Sequence, residues 1–233
     1  MRRLPLTRTL PALTVVLLLT AAAPAKEPAE VVWSHPNPAR YDVSSIAVLP
    51  VVVLDGDTQA ANLVEKVLPW KWVPTGHGWL QSSSSRELLR EAGGGALLQE
   101  LAAQVRRSGR VDSLAARRVA RVVHTGAFLA VRVDVWQKRE RDRTQLRAKP
   151  SSTTISLRAS LVDSSGTLLW SISGTEVLQE TPGRQELGSM GIRPGALGIG
   201  LQTVSTAPTF EDVLSKLLAR WRPLFLAAAH RAT

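Results

Sequence analysis

Residues 161–172 read Leu161-Val162-Asp163-Ser164-Ser165-Gly166-Thr167-Leu168-Leu169-Trp170-Ser171-Ile172, and two apolar runs flank Asp163–Gly166. Asp opens a tight turn by accepting backbone N–H groups, and Gly supplies the position that needs positive φ. The stretch is therefore expected to be the tip of an antiparallel hairpin, with Trp170 anchoring the returning strand. Upstream, residues 153–163 alternate, putting Ile155, Leu157, Ala159 and Leu161 on one face. Downstream, Thr167 to Val177 should place Leu168, Trp170 and Ile172 together. A long strand, Ala127 to Gln137, precedes them. Its alternation sets Leu129, Val131, Val133 and Val135 on one side and Ala130, Arg132, Asp134 and Trp136 on the other.

Working outward, residues 138–150 (KRERDRTQLRAKP) join these two strands. Lys138, Arg139, Arg141, Arg143, Arg147 and Lys149 could grip an anionic partner; the plainer reading is a solvated hairpin loop that protects a sheet edge. Ser45 to Leu54 (SIAVLPVVVL) is apolar without alternation, which suits a strand covered on both faces. Pro50 lacks the N–H of a ladder, so the strand should end or bulge there. Asp55-Gly56-Asp57 reads as a turn. Residues 58–83 hold Trp70, Trp72 and Trp79 among Pro69, Pro74 and Gly76, and read as an irregular, Trp-rich excursion. Such rings can bind sugars or a lipid interface, or plug the base of a loop.

Helices fill the intervals. Ala96 to Arg107 carries Leu97, Leu98, Leu101, Ala102 and Val105 on one face and ends at Gly109; Gly93-Gly94-Gly95 should interrupt its start. Val111 is a short strand candidate. Asp112 or Ser113 caps a second helix, Leu114 to Val123. Residues 180–207 are rich in Gly and Pro and read as a long loop. Thr209–Asp212 is a capping-box variant opening the last helix, which Pro223 should kink or break. The fold class that follows is α/β: a single domain with a mixed sheet of about four to five strands, flanking helices and a long C-terminal helix.

The first residues bear on compartment. Arg2 and Arg3 precede an apolar run, Leu10 to Ala23, and an A-x-A site at Ala23–Ala25. That run is shorter than the roughly 20 residues a spanning helix needs, and the pattern is that of a secretory signal peptide over residues 1–25. A Pro-rich, extended lead-in follows over 26–43, with Trp33 and Tyr41 as tethers to the body at 44–233. The 233-residue chain has a formal charge of +10; without the leader's three arginines, 26 basic side chains face 19 acidic ones, a net of +7. Anionic envelope material could bind such a protein, the plainer reading being the solubility of an Arg-rich composition, and nucleic acid is not expected outside the cytoplasm. With no cysteine, there is no disulfide, no Cys-type metal site, no thiol nucleophile and no lipid-bearing cysteine.

Catalytic patterns are sparse. His35, His77, His124 and His230 fall at no metal-ligand spacing. No nucleophile elbow, H-E-x-x-H or P-loop is present. Asp134 beside Arg132 is the one acid projected from mid-strand, explained equally by a charge pattern on a sheet surface. Neither catalytic residues nor a metal or cofactor are expected. The order of elements adds a resemblance. Ile46–Pro50 (IAVLP), then an amphipathic helix, then Leu161–Asp163, Gly166, Leu169 and Trp170 resemble a group of bacterial envelope proteins. These are the curli-export lipoprotein, the outer-membrane activators of penicillin-binding proteins and allied small lipoproteins. The likeness spans residues 44–178 and implies a helix-flanked sheet and a non-enzymatic role in the envelope. This chain departs from the group in lacking the lipid-bearing cysteine, in residues 58–83, and in showing no pore-forming segment. The reading is an exported accessory or scaffold protein acting through envelope protein partners, with self-assembly as a further option. The alternative is a periplasmic module for an anionic lipid or glycan. The candidate surface is Trp70, Trp72, Trp79, Lys138, Arg139, Arg141, Arg143 and Arg147, with the 180–207 loop.

Overall fold

The hairpin read from residues 161–172 forms the spine of the sheet. A computed structural model describes residues 30–41, 43–73, 76–141, 150–180 and 207–230. The leader, the tip of the basic loop with Arg143 and Arg147, and most of the 180–207 loop lie outside the described residues. In chain order the elements are β1 (Val31–Ser34), a 3-10 turn (Pro38–Arg40), β2 (Ser45–Val48), β3 (Val52–Val53), α1 (Thr58–Trp72), β4 (Gly78–Leu80), α2 (Ser82–Ser108), α3 (Ser113–Val123), β5 (Ala127–Arg139), β6 (Ser152–Asp163), β7 (Leu168–Gln179) and α4 (Phe210–His230). The sheet is mixed and has seven strands in the order β1-β7-β6-β5-β2-β4, with β3 alongside β5. The antiparallel part is β5-β6-β7-β1; β2, β3 and β4 pair in parallel. The strand count exceeds the four to five expected. The lead-in contributes β1, the Trp-rich excursion contributes β4, and Pro50 splits the first apolar strand into β2 and β3.

The hairpin turn follows its chemistry closely. The Asp163 carboxylate accepts from Ser165 N (3.1 Å), Thr167 N (2.6 Å) and the Ser165 hydroxyl (2.8 Å), and Gly166 takes φ +95°. Trp170 is fully buried beneath it.

Two register shifts alter the faces read from strict alternation. In β5 the register moves between Val133 and Val135. Asp134 is the extra residue, and after one extra residue the side chains change sides. Trp136 therefore joins Leu129, Val131 and Val133 instead of Ala130 and Arg132, and stacks on Phe210 with centroids 4.4 Å apart. A second shift, between Leu161 and Val162, sends Leu168 to the side opposite Trp170 and Ile172. Simple alternation misplaces both residues.

The helices form two layers. On one face lie α1 and α4, over Leu129, Leu157, Ala159, Leu161, Trp170 and Ile172. On the other lie α2 and α3, over Ala47, Leu49, Phe128 and Ala130. The irregular reading of residues 58–72 is corrected by α1. Asp57 caps it through Gln59 N (2.8 Å) and Ala60 N (3.3 Å). Ala60, Val64, Val67, Leu68 and Trp72 then recur at helical spacing and are all buried. Pro69 lies in the last turn and leaves one carbonyl, that of Glu65, without its intrahelical N–H. The triple glycine does not interrupt α2, which runs unbroken from Ser82 to Ser108 and ends on Gly109 at φ +73°. Val111 is buried but forms no strand. Asp112 caps α3 through Ala115 N (2.9 Å), as expected. α4 opens on the Thr209/Asp212 box, Asp212 N donating to Thr209 Oγ1 (3.1 Å), and continues through Pro223.

The lead-in is fastened at several points. β1 pairs with β7, and the His35 ring sits between Trp33 and Tyr41, with centroids 6.1 and 5.0 Å away. Tyr41 packs against the core, as a tether should. Trp221 Nε1 donates to Glu30 (2.7 Å), and Arg220 bonds both Glu30 and the buried Glu176, which Lys216 also reaches (2.8 Å). Burial lowers the Arg220 pKa, but hydrogen bonds and charge from Glu30 and Glu176 outweigh that, holding the guanidinium above its ordinary value.

Candidate functional site

The residues singled out by composition lie in two places. Trp72 is fully buried: its ring stacks on Phe225 (4.8 Å, 16°), meets Trp170 edge-on (5.9 Å), and its indole N–H donates to the Leu218 carbonyl (3.0 Å). It offers no surface; the plugging role that the sequence allowed is the one it has. Trp79 is half-buried on β4 and meets the same Phe225 (6.4 Å). α1 places Trp70 two residues before Trp72. At the far end of the β5–β6 hairpin, Lys138, Arg139 and Arg141 are exposed. Lys138 pairs with Glu140 (3.2 Å), and Arg141 N donates to Ser151 Oγ (3.0 Å). The Trp residues and the basic loop therefore do not form one surface among the described residues.

Arg132 and Asp134 are brought together by the β5 bulge, at 2.5 Å, and a second Arg132 nitrogen donates to the Arg106 carbonyl at the end of α2 (2.9 Å). Both charges are used within the fold, tying α2 to β5. Among the described residues no three His, Asp or Glu side chains gather as a metal-binding group, and no helix is long and apolar enough to cross a membrane.

A different surface stands out. α2 and α3 cover β2, β3, β5 and the turn end of the hairpin, but no described helix lies over the rest of β6, β7 and β1 on that side. The residues there alternate away from the Trp170 core: Ser156, Arg158 and Ser160 from β6, Ser171, Ser173 and Thr175 from β7, and Val31 and Trp33 from β1, which lie opposite Ser173 and Ser171. Val31 is 68% exposed and Trp33 42%. At the junction with α2 this face deepens into a cleft of about 340 Å³, bounded by Ser108–Arg110, Arg158, Ser160, Ser171 and Ser173, with Val31 and Leu168 on its apolar flank. Gly109 makes the close approach possible. A Cβ there would lie 2.3 Å from the Arg158 Cδ, and Ser160 Oγ holds the loop by donating to the Gly109 carbonyl (2.8 Å). The Arg158 Nε is buried and meets no acceptor. The sequence carried a signal for this face, the polar half of the alternation in Thr154–Ser160, but nothing in it showed that the matching half of the helix layer would stop short.

No family model matches the sequence, and no curated protein matches it. Among solved structures the chain is similar to lipoprotein GNA1162 from Neisseria meningitidis, with 22% identity, 58% of this chain and 83% of that one covered, and a TM-score of 0.42. It is similar to the PelC dodecamer from Paraburkholderia phytofirmans at 15% identity, covering 88% of this chain and 99% of that one, with a TM-score of 0.41. The LpoB C-terminal domain from Salmonella enterica aligns at 14% identity over 60% of this chain and 85% of that one, with a TM-score of 0.31.

Proposed function

We propose that this chain is an exported, non-enzymatic accessory or scaffold protein of the cell envelope, working at the periplasmic face by contact with an envelope protein. The observation that carries this reading is the half-covered sheet. Its β6-β7-β1 face has no described helix over it and ends in β1, an edge strand bearing exposed Val31, Val32 and Trp33. Unpaired edges and exposed apolar side chains are what a partner strand or surface uses. The leader-like pattern at residues 1–25 supports export. The internal use of Arg132 and Asp134 supports a role without catalysis, since the one mid-strand acid found in the sequence pairs with the arginine that holds α2. The exposed Lys138, Arg139 and Arg141, with Arg143 and Arg147 in the same sequence segment, are a second candidate contact region, and Trp70 on α1 is a separate one.

The test is site-specific photocrosslinking in the native host, with the probe at Trp33 on the uncovered face of the edge strand or at Arg139 on the basic hairpin, followed by mass spectrometry. One abundant envelope protein captured from either position is the expected result. Capture of the chain by itself would make it an oligomeric scaffold. No protein crosslink at either position, with lipid or glycan retained through purification, would overturn the protein-contact reading in favour of a lipid- or glycan-binding module.

A further inference from the structure

We propose that the cleft beneath Ser108–Arg110 is a binding site for a phosphate ester carried on a small hydroxylated molecule. The proposal starts from an uncompensated charge. The fold pairs its other enclosed guanidiniums: Arg132 with Asp134, Arg220 with Glu30 and Glu176, Arg86 with Glu65. Arg158 is half-buried in mid-strand, yet no carboxylate or carbonyl among the described residues bonds it, and its Nε is shut off from water. Its direct neighbour across β5 is Arg132, a second cation. Like charges facing each other across a strand pair destabilise a sheet, and an enclosed donor without an acceptor costs more again. Asp134 already neutralises Arg132, so the charge left without a partner is that of Arg158, and an anion in the cleft would offset it.

The surrounding groups fit an oxyanion with oxygens in more than one plane. Arg158 approaches from β6, directly opposite Ser173 of β7. The Ser171 and Ser173 hydroxyls, two residues apart on the same face, have no partner among the described residues. Arg110 stands exposed at the rim, its side chain likewise unpaired. Donors from two strands and a loop suit a tetrahedral phosphate better than a planar carboxylate, and a guanidinium fork is the natural phosphate partner. The C-terminus of α2 is nearby and would repel an anion, an effect reduced where three of its carbonyls already accept: Val105 from Gly109 N (2.8 Å), Arg106 from Arg132 (2.9 Å) and Gln104 from the Ser108 hydroxyl (3.0 Å). The volume, about 340 Å³, exceeds what a bare phosphate fills and sits at the small end of ligand pockets. The apolar flank of Val31 and Leu168 would receive the carbon side of the carrier.

Isothermal titration of the purified protein at low ionic strength tests this, with glycerol 3-phosphate and glucose 6-phosphate as ligands and glucose and acetate as controls. A parallel arm measures binding to phosphatidylglycerol vesicles against phosphatidylcholine vesicles. Saturable 1:1 binding of the phosphate esters alone, weakened by salt, is expected. Arg158→Gln should weaken it at least tenfold, the double variant Ser171→Ala/Ser173→Ala several-fold, and Arg121→Ala on α3 not at all. Arg158→Lys, which keeps a point charge, should retain part of the affinity. Binding confined to phosphatidylglycerol vesicles and lost in Arg158→Gln would place the same phosphate on a lipid headgroup. No phosphate-dependent binding in either arm, or undiminished affinity in an Arg158→Gln protein with normal circular dichroism, overturns the proposal.

Discussion

Replacing Trp72 separates a core ring from a surface ring. Trp72 has no exposed area, stacks on Phe225 at 4.8 Å, meets Trp170 at 5.9 Å and donates its indole N–H to Leu218. Truncating a buried Trp to Ala costs about 3–5 kcal/mol in transfer and cavity terms. Loss of the hydrogen bond to the Leu218 carbonyl adds about 1 kcal/mol. The sum, about 4–6 kcal/mol, should lower the midpoint of thermal unfolding by roughly 10–20 °C for a chain of this size. Trp72→Phe keeps a ring against Phe225 and removes only the indole edge and its donor, so about 2 kcal/mol is expected. Urea unfolding followed by far-ultraviolet circular dichroism is the suitable assay, since seven Trp residues confuse a fluorescence signal. A double-mutant cycle with Phe225→Leu should return an aromatic coupling of about 0.5–1.5 kcal/mol. A Trp72→Ala loss within about 0.5 kcal/mol, the usual range for surface changes, would refute the reasoning and return Trp72 to the list of contact residues.

Removing the turn acid by Asp163→Ala should cost about 2–3 kcal/mol in urea unfolding, because a carboxylate accepting two backbone N–H groups and a hydroxyl is lost from a buried position. Gly166→Ala should destabilise more than Gly109→Ala. Both need a left-handed conformation, about 1–2 kcal/mol for a residue with a Cβ, but at 166 the new Cβ would lie 2.2 Å from the Ser113 backbone, and at 109 it meets the movable Arg158 arm. Equal losses would argue against the close hairpin–α3 approach. Arg220→Ala should lower stability by about 2–4 kcal/mol, nearer the low end because the guanidinium is about one-third exposed and solvent screens it. Its pKa lies above the ordinary Arg value in the folded state, so its contribution is complete below that value and is lost only in stronger base. The wild-type minus Arg220→Ala difference should therefore be the same at pH 7 and pH 9, measured by chemical denaturation.

The antiparallel half of the fold was legible because its signals are local. Asp163 and Gly166 state a turn, and Ile155, Leu157, Ala159 and Leu161 state a face. Asp112 and Thr209 likewise mark helix starts that the structure keeps. What the sequence obscured was obscured for physical reasons. In α1, the prolines and tryptophans of 69–79 drew attention from the run Ala60, Val64, Val67, Leu68 and Trp72, whose burial against α4 supplies more than Pro69 removes near a helix end. The triple glycine lowers helix propensity by about 1 kcal/mol per residue, yet the helix continues through it over 27 residues. The bulge at Asp134 has no signature of its own, so strict alternation carried Trp136 to the wrong side. Arg158 was invisible as a site residue for a different reason: its isolation depends on where α2 ends relative to β6 and on Gly109, facts of three-dimensional placement. The basic residues at 138–141 were visible from charge alone, and the structure adds their exposure.

The distances along the chain between partners in this fold carry a consequence for how it comes into being. The Trp72 indole meets a carbonyl 146 residues later, and Glu30 meets an arginine 190 residues later. β1, first in the chain, pairs with β7, last of the strands. Contacts so remote in sequence close slowly, because the loop entropy is paid before any burial rewards it. A chain emerging from its amino end can form α2, α3 and local turns, yet cannot complete its larger core until α4 has been synthesised. For an exported chain threaded unfolded across its membrane, that delay would be an asset: the fold withholds its cooperative transition until the whole chain is free. A truncation ending at residue 206 should accordingly remain open to protease, whereas the full chain should not.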